Sequence, residues 1–169
     1  MKYITKDNIT FLIAVIGFAL SLWNFFKDLW NHRSKIRLRY KSCAIGKTAR
    51  RNIMYFELSF ENFSRLPISI SRIFFKNNNN IFEFEWIPEK ITTTTYKTGN
   101  TVTDQKSYFS EKIPHSIDGL GLWGGFFFLS TPFEFKKSDL LDNKSKIILY
   151  TNRGKKELNL PITAESIKN

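Results

Sequence analysis

Side chains able to do acid–base, nucleophilic or metal chemistry are few and scattered in these 169 residues. The sequence has one Cys (Cys43) and two His (His32 and His115). That excludes a disulfide within the chain and a Cys-based structural zinc site, and it supplies no imidazole cluster for a metal. His115, Ser116 and Asp118 are too close along the chain to converge in a triad, and they read as a polar loop. Glu83 and Glu85 alternate with Phe82 and Phe84, the pattern of a strand's solvent face rather than of paired catalytic carboxylates. Gly119, Gly121 and Gly124 spell G-x-G-x-x-G. The dinucleotide fingerprint needs a strand before it and a helix after it, whereas the run that follows, Trp-Gly-Gly-Phe-Phe-Phe-Leu-Ser, reads as strand. Gly46, Lys47 and Thr48 match the end of a phosphate loop, but Lys41 stands where its first glycine belongs. The expectation is a protein that is not an enzyme and uses no cofactor or metal.

The one chemistry present in excess is positive charge. Of the formal net charge of +11, +8 falls between His32 and Arg51, a stretch with no acidic residue. Its eight cations are Arg33, Lys35, Arg37, Arg39, Lys41, Lys47, Arg50 and Arg51. Three kinds of partner fit them. Anionic lipid headgroups attract such a segment by about 1 kcal/mol per residue near a membrane surface. A phosphate ligand, nucleotide or short oligonucleotide suits a cationic groove with Tyr40 or Tyr55 nearby as a stacking group. An acidic protein is the third.

A second constellation precedes it. Ile9 to Phe26 contains neither charge nor proline, and its 18 residues make about 27 Å of helix, close to the roughly 30 Å hydrocarbon core of a bilayer. It ends in Trp-Asn-Phe-Phe-Lys-Asp-Leu-Trp rather than in the small residues of a cleavage site, so it reads as an uncleaved anchor. Steps of three and four from Asp7 meet Thr10, Ala14, Gly17, Ser21, Asn24, Asp28 and Asn31, all small or polar. Lipid does not distinguish helix faces, whereas a helix bundle does: small residues allow close approach, and Ser, Thr or Asn hydrogen-bond across the seam. The stripe predicts self-association, with three or more copies. A ring of copies could turn Thr10, Ser21, Asn24 and Asp28 toward a wet axis and pass ions. Two Lys precede the helix and many cations follow it, so the positive-inside rule places the C-terminal part in the cytoplasm.

The elements that must position these groups follow from periodicity. Residues 1–34 form the transmembrane helix and its basic juxtamembrane segment; residues 35–169 form a cytosolic β-domain. Ile36, Leu38 and Tyr40 alternate with Arg37, Arg39 and Lys41, and Met54, Phe56, Leu58 and Phe60 repeat every second residue. Further strands are expected at 68–75, 81–86, 91–96, 101–109, 123–129, 146–151 and 157–160, with one short helix at 137–141. About nine short strands imply an antiparallel β-sandwich, with a small β-barrel as the alternative. The Glu61–Ser71 stretch resembles a strand-turn-strand step of immunoglobulin-like bacterial domains that follow a membrane anchor.

The layout of one anchor, a polar stripe and a basic β-domain without a catalytic set resembles the small membrane effectors of bacterial antiphage systems. That resemblance implies a homo-oligomeric inner-membrane effector, pore-forming or depolarising, set by a nucleotide or oligonucleotide on the basic face. The alternative is a passive membrane-anchored module that recruits a protein through a strand edge or its basic surface.

Overall fold

A computed structural model describes residues 6–31, 35–47, 51–99, 101–132, 134–135, 137–141 and 145–168. The chain divides into two compact units, Met1–Arg33 and Ser34–Asn169.

The first unit is the helix α1, Lys6–Asn31. Its interior has no proline and is rich in Leu, Ala, Ile and Phe. One stretch of it, Ile9–Asp28, is long and apolar enough to cross a membrane, and none of that stretch is buried in protein.

The second unit is mainly β. Its strands are β1 (Ile36–Lys47), β2 (Asn52–Asn62), β3 (Ile68–Asn77), β4 (Asn80–Glu83), β5 (Lys90–Thr98), β6 (Thr101–Phe109), β7 (His115–Ile117), β8 (Leu122–Thr131), β9 (Lys146–Thr151), β10 (Gly154–Asn159) and β11 (Ile167–Lys168), with a one-turn helix α2 at Lys137–Leu140. One sheet has the order β11-β1-β2-β8 and a second the order β10-β9-β3-β4, with β7 also on β3; β5 and β6 form a separate hairpin. Every pairing is antiparallel except β1 with β11. The expected sandwich is therefore present as two open, facing sheets, and the barrel alternative drops out.

The period-two apolar pattern explains why the sheets face each other. Met54, Phe56, Leu58 and Phe60 on β2 are all buried, as are Ile73 and Phe75 on β3 and Ile147 and Leu149 on β9. Phe56 bridges the layers: its ring centroid lies 5.0 Å from that of Phe75 and 5.5 Å from that of Phe84. Phe60 packs edge-on to Phe127 at 5.6 Å and beside Trp123 at 5.7 Å. Fully buried aromatic side chains of this kind hold about 3–5 kcal/mol each against truncation.

Two local expectations change. His115–Ile117 is a strand on β3 and not a loop, because Ile117 is buried and the His115 ring stacks on Trp123 at 4.4 Å. Strand β4 ends at Glu83, short of Trp86: the chain there crosses between layers, Phe84 N–H donating to Ile73 O on one sheet and Glu85 N–H to Phe128 O on the other. Strand β8, Leu122–Thr131, contains the whole of the expected 123–129, both glycines included. Glycine is required at 124 because a Cβ there would meet the Ser59 side chain and the Leu58 carbonyl.

Candidate functional site: an apolar helix and a charged sheet face

Thr10, Ala14, Gly17, Ser21, Asn24 and Asp28 all lie on α1 and are all exposed, as are the apolar residues between them. The helical spacing puts the six along one face. An ideal Cβ built on Gly17 meets nothing within 4 Å, so that face has room for close approach of another helix.

The basic residues are placed differently from a free cationic groove. Arg37, Arg39 and Lys41 do share the exposed face of β1. Arg39, however, is ion-paired with Glu61, and Lys41 Nζ donates to Glu57 Oε1 at 2.5 Å. Lys47 meets Glu134 at 3.3 Å. Arg51 Nη2 donates to both oxygens of Glu89 at 2.5 and 2.6 Å, with Glu85 at 3.9 Å. The hydrogen bond it donates to Glu89 raises the Arg51 guanidinium above its ordinary value. Lys35 and Arg37 have no carboxylate partner among the described residues; with Ile36 and Phe63 they line a shallow depression of about 510 Å³. Arg33 and Arg50 lie outside the described residues.

Both tyrosines are partly buried. Tyr40 is half-buried, its hydroxyl 2.9 Å from Ser166 Oγ, and burial pushes its phenol upward. Tyr55 leans on Phe128 with centroids 6.1 Å apart, and burial raises its phenol too. Cys43 is buried, which pushes its thiol up to about 12, so it is no nucleophile at neutral pH.

The neutralising acids carried one readable signal. On β2, Glu57 alternates with buried Phe56 and Leu58, and Glu61 with buried Phe60 and Asn62, which puts both on the less buried face of that strand. The register brings Arg37 opposite Glu61 and Arg39 opposite Ser59. Glu85, Glu89 and Glu134 come from distant segments and had no such signal.

Two further features were not visible in the sequence. Among the described residues no other strand pairs with the outer edges of the hairpin β5–β6, and most of its side chains are exposed. Its base is fastened by Ser110 N–H donating to Glu89 O and Glu89 N–H to Ser110 Oγ, each 2.9 Å. At the end of the sandwich where β1 begins, buried Asn62 ties the β2–β3 loop to the end of β7 and the turn that follows it. Its Nδ2 donates to Leu66 O at 2.9 Å, Asp118 O at 2.9 Å and Ile117 O at 3.3 Å. Arg153 joins from the β9–β10 turn, donating to Pro67 O at 3.1 Å.

A cleft of about 450 Å³ opens beside β3 between its pairings to β4 and β7, with Ser71, Glu85 and Trp86 in its wall and Arg72 paired to Glu83 at 3.1 Å. Among the described residues no group of three or more His, Cys, Asp or Glu is placed to hold a metal ion. Neither known protein families nor curated proteins give a match to this chain.

Proposed function

We propose that the chain is a single-pass protein of a bacterial cytoplasmic membrane that self-associates through the stripe Thr10, Ala14, Gly17, Ser21, Asn24 and Asp28 and holds a cytoplasmic β-sandwich as an interaction module. The observation that carries this reading is the helix Ile9–Asp28: twenty residues of mean hydropathy 2.1, none buried by the protein. So large an apolar surface needs lipid or other helices around it. The segregated small and polar residues favour copies of itself along one side. On the β-domain, the two free edges of the β5–β6 hairpin favour a protein partner by strand addition. The internal pairing of Arg39, Lys41, Lys47 and Arg51 favours that over a nucleotide or oligonucleotide on the basic face.

Single-cysteine cross-linking tests the seam. Native Cys43 is buried, so oxidation of membranes carrying Ser21→Cys should give a disulfide-linked dimer, while Ala19→Cys, about 160° around the helix from Ser21, should not. Equal, background-level cross-linking of both would remove the self-association.

A pore-forming effector of antiphage type is the second reading. It is favoured by Asn24 and Asp28, polar groups on the same helix face as Ser21, which are costly against lipid and useful along a wet axis. Expression with a voltage-sensitive dye should then show depolarisation that Ser21→Leu with Asn24→Leu abolishes; polarised cells at full expression would discard the pore and leave the tethered module.

A further inference from the structure

The end of the sandwich where β1 begins carries an unusual set of exposed apolar residues. Phe63 is 52% exposed, Leu122 65% and Leu120 71%. Leu120 stands in a turn with φ +58°, a left-handed conformation that a bulky side chain adopts only when its surroundings impose it. The surroundings do impose it. Leu120 N–H donates to Ser64 O at 2.9 Å and Asn62 N–H to Gly121 O at 2.9 Å. A Cβ on the preceding Gly119 would run into the Arg65 carbonyl. The clamp by Asn62 is buried and fully hydrogen-bonded, so these loops are held rigidly with their leucines and phenylalanine facing out.

Cations flank the patch. Lys35 and Arg37 share a depression with Phe63, whose N–H donates to Lys35 O at 2.8 Å, and Arg65 is exposed in the adjoining loop. The acids nearby are Asp118, exposed in the Leu120 turn, and Glu61, already paired with Arg39. Lys35 follows Asn31, the last residue of α1, by four residues, a chain reach of at most about 14 Å. Apolar tips among cations at a short tether from a spanning helix match the boundary between acyl chains and anionic headgroups.

We propose that the Phe63, Leu120 and Leu122 tips insert into the membrane surface, with Lys35, Arg37 and Arg65 on anionic headgroups, as a second membrane contact beside the helix. The proposal rests on the membrane reading of α1, and its test separates the two. Full-length Leu120→Cys, Ile81→Cys and Leu12→Cys proteins, each carrying a polarity-sensitive fluorophore, are reconstituted in vesicles of phosphatidylcholine with 30% phosphatidylserine (roughly the composition of an anionic leaflet). Spin-labelled lipids serve as quenchers. The Leu120 label should be blue-shifted and quenched by a shallow spin label, several-fold more than the Ile81 label at the β3–β4 turn, and less so in pure phosphatidylcholine or with Phe63→Ser. A quenched Leu12 label with an unquenched Leu120 label overturns the insertion while keeping the anchor. An unquenched Leu12 label removes the anchor itself. A Leu120 label shielded from water-soluble quencher but untouched by lipid quencher overturns insertion in favour of a protein contact.

Discussion

Ser64 donates twice to one atom of Asn62: its backbone N–H reaches Asn62 Oδ1 at 2.9 Å and its hydroxyl reaches the same oxygen at 2.6 Å. Both residues are buried. This pair joins the end of β2 to the turn before β8, and it is the internal support of the exposed Phe63 and Leu120.

Asn62→Ala should therefore be among the most destabilising polar substitutions in the chain. It removes the two hydrogen bonds that Ser64 donates to Oδ1 and the three that Nδ2 donates to Leu66 O, Ile117 O and Asp118 O, at a cost of about 2–4 kcal/mol. Asn62→Asp should cost a similar amount, because a carboxylate cannot donate to carbonyls. Chemical denaturation of the two variants beside Ser69→Ala, an exposed control expected within about 0.5 kcal/mol of wild type, checks this.

The ion pairs on the β1 face should contribute little by themselves. Arg39 and Lys41 side chains are 66% and 75% exposed, so Arg39→Ala and Lys41→Ala should each cost under about 1 kcal/mol and less at high salt. Glu61 differs because it is more enclosed and its Oε2 is buried with no hydrogen-bond partner. Glu61→Gln, which removes a buried charge, should be near neutral in the same denaturation assay.

Cys43 should make the fold alkali-sensitive. Its folded thiol lies at about 12, above the ordinary 9.0, because burial penalises the thiolate. Its contribution to stability is complete below pH 9 and is lost as pH rises through the folded value, with a slope of at most about 1.4 kcal/mol per pH unit. Denaturation midpoints between pH 8 and 11 should fall more steeply for wild type than for Cys43→Ala. Maleimide labelling of Cys43 at neutral pH should require unfolding.

The hairpin should be dispensable for folding. A two-stranded ribbon that buries little is marginal on its own, and among the described residues β5 and β6 pair only with each other. Replacing residues 91–108 with a short Gly-Ser loop should move stability by less than about 1 kcal/mol, since the Arg51–Glu89 and Glu89–Ser110 contacts at its base remain. Limited trypsin digestion of the native chain should cut early at Lys97, beside the hairpin tip.

The amino-acid order by itself determined what depends on composition and short period. The charge-free run from Ile9 to Phe26 specifies an apolar helix, and the alternation of Met54, Phe56, Leu58 and Phe60 specifies a strand with one buried face. Lys146–Thr151 and Thr101–Phe109 were legible to the residue for the same reason. What only the tertiary structure decided is which distant residues meet. The cations of 35–51 are close together in the chain, but Glu57, Glu61, Glu89 and Glu134 reach four of the described ones through register and crossing loops, so a segment that reads as bare charge folds into a partly compensated surface. The exposed tips follow the same logic. Nothing local in Glu-Asn-Phe-Ser or Gly-Leu-Gly-Leu marks Phe63 and Leu120 as outward-facing, because what turns them out is Asn62 bonding to carbonyls more than fifty residues away.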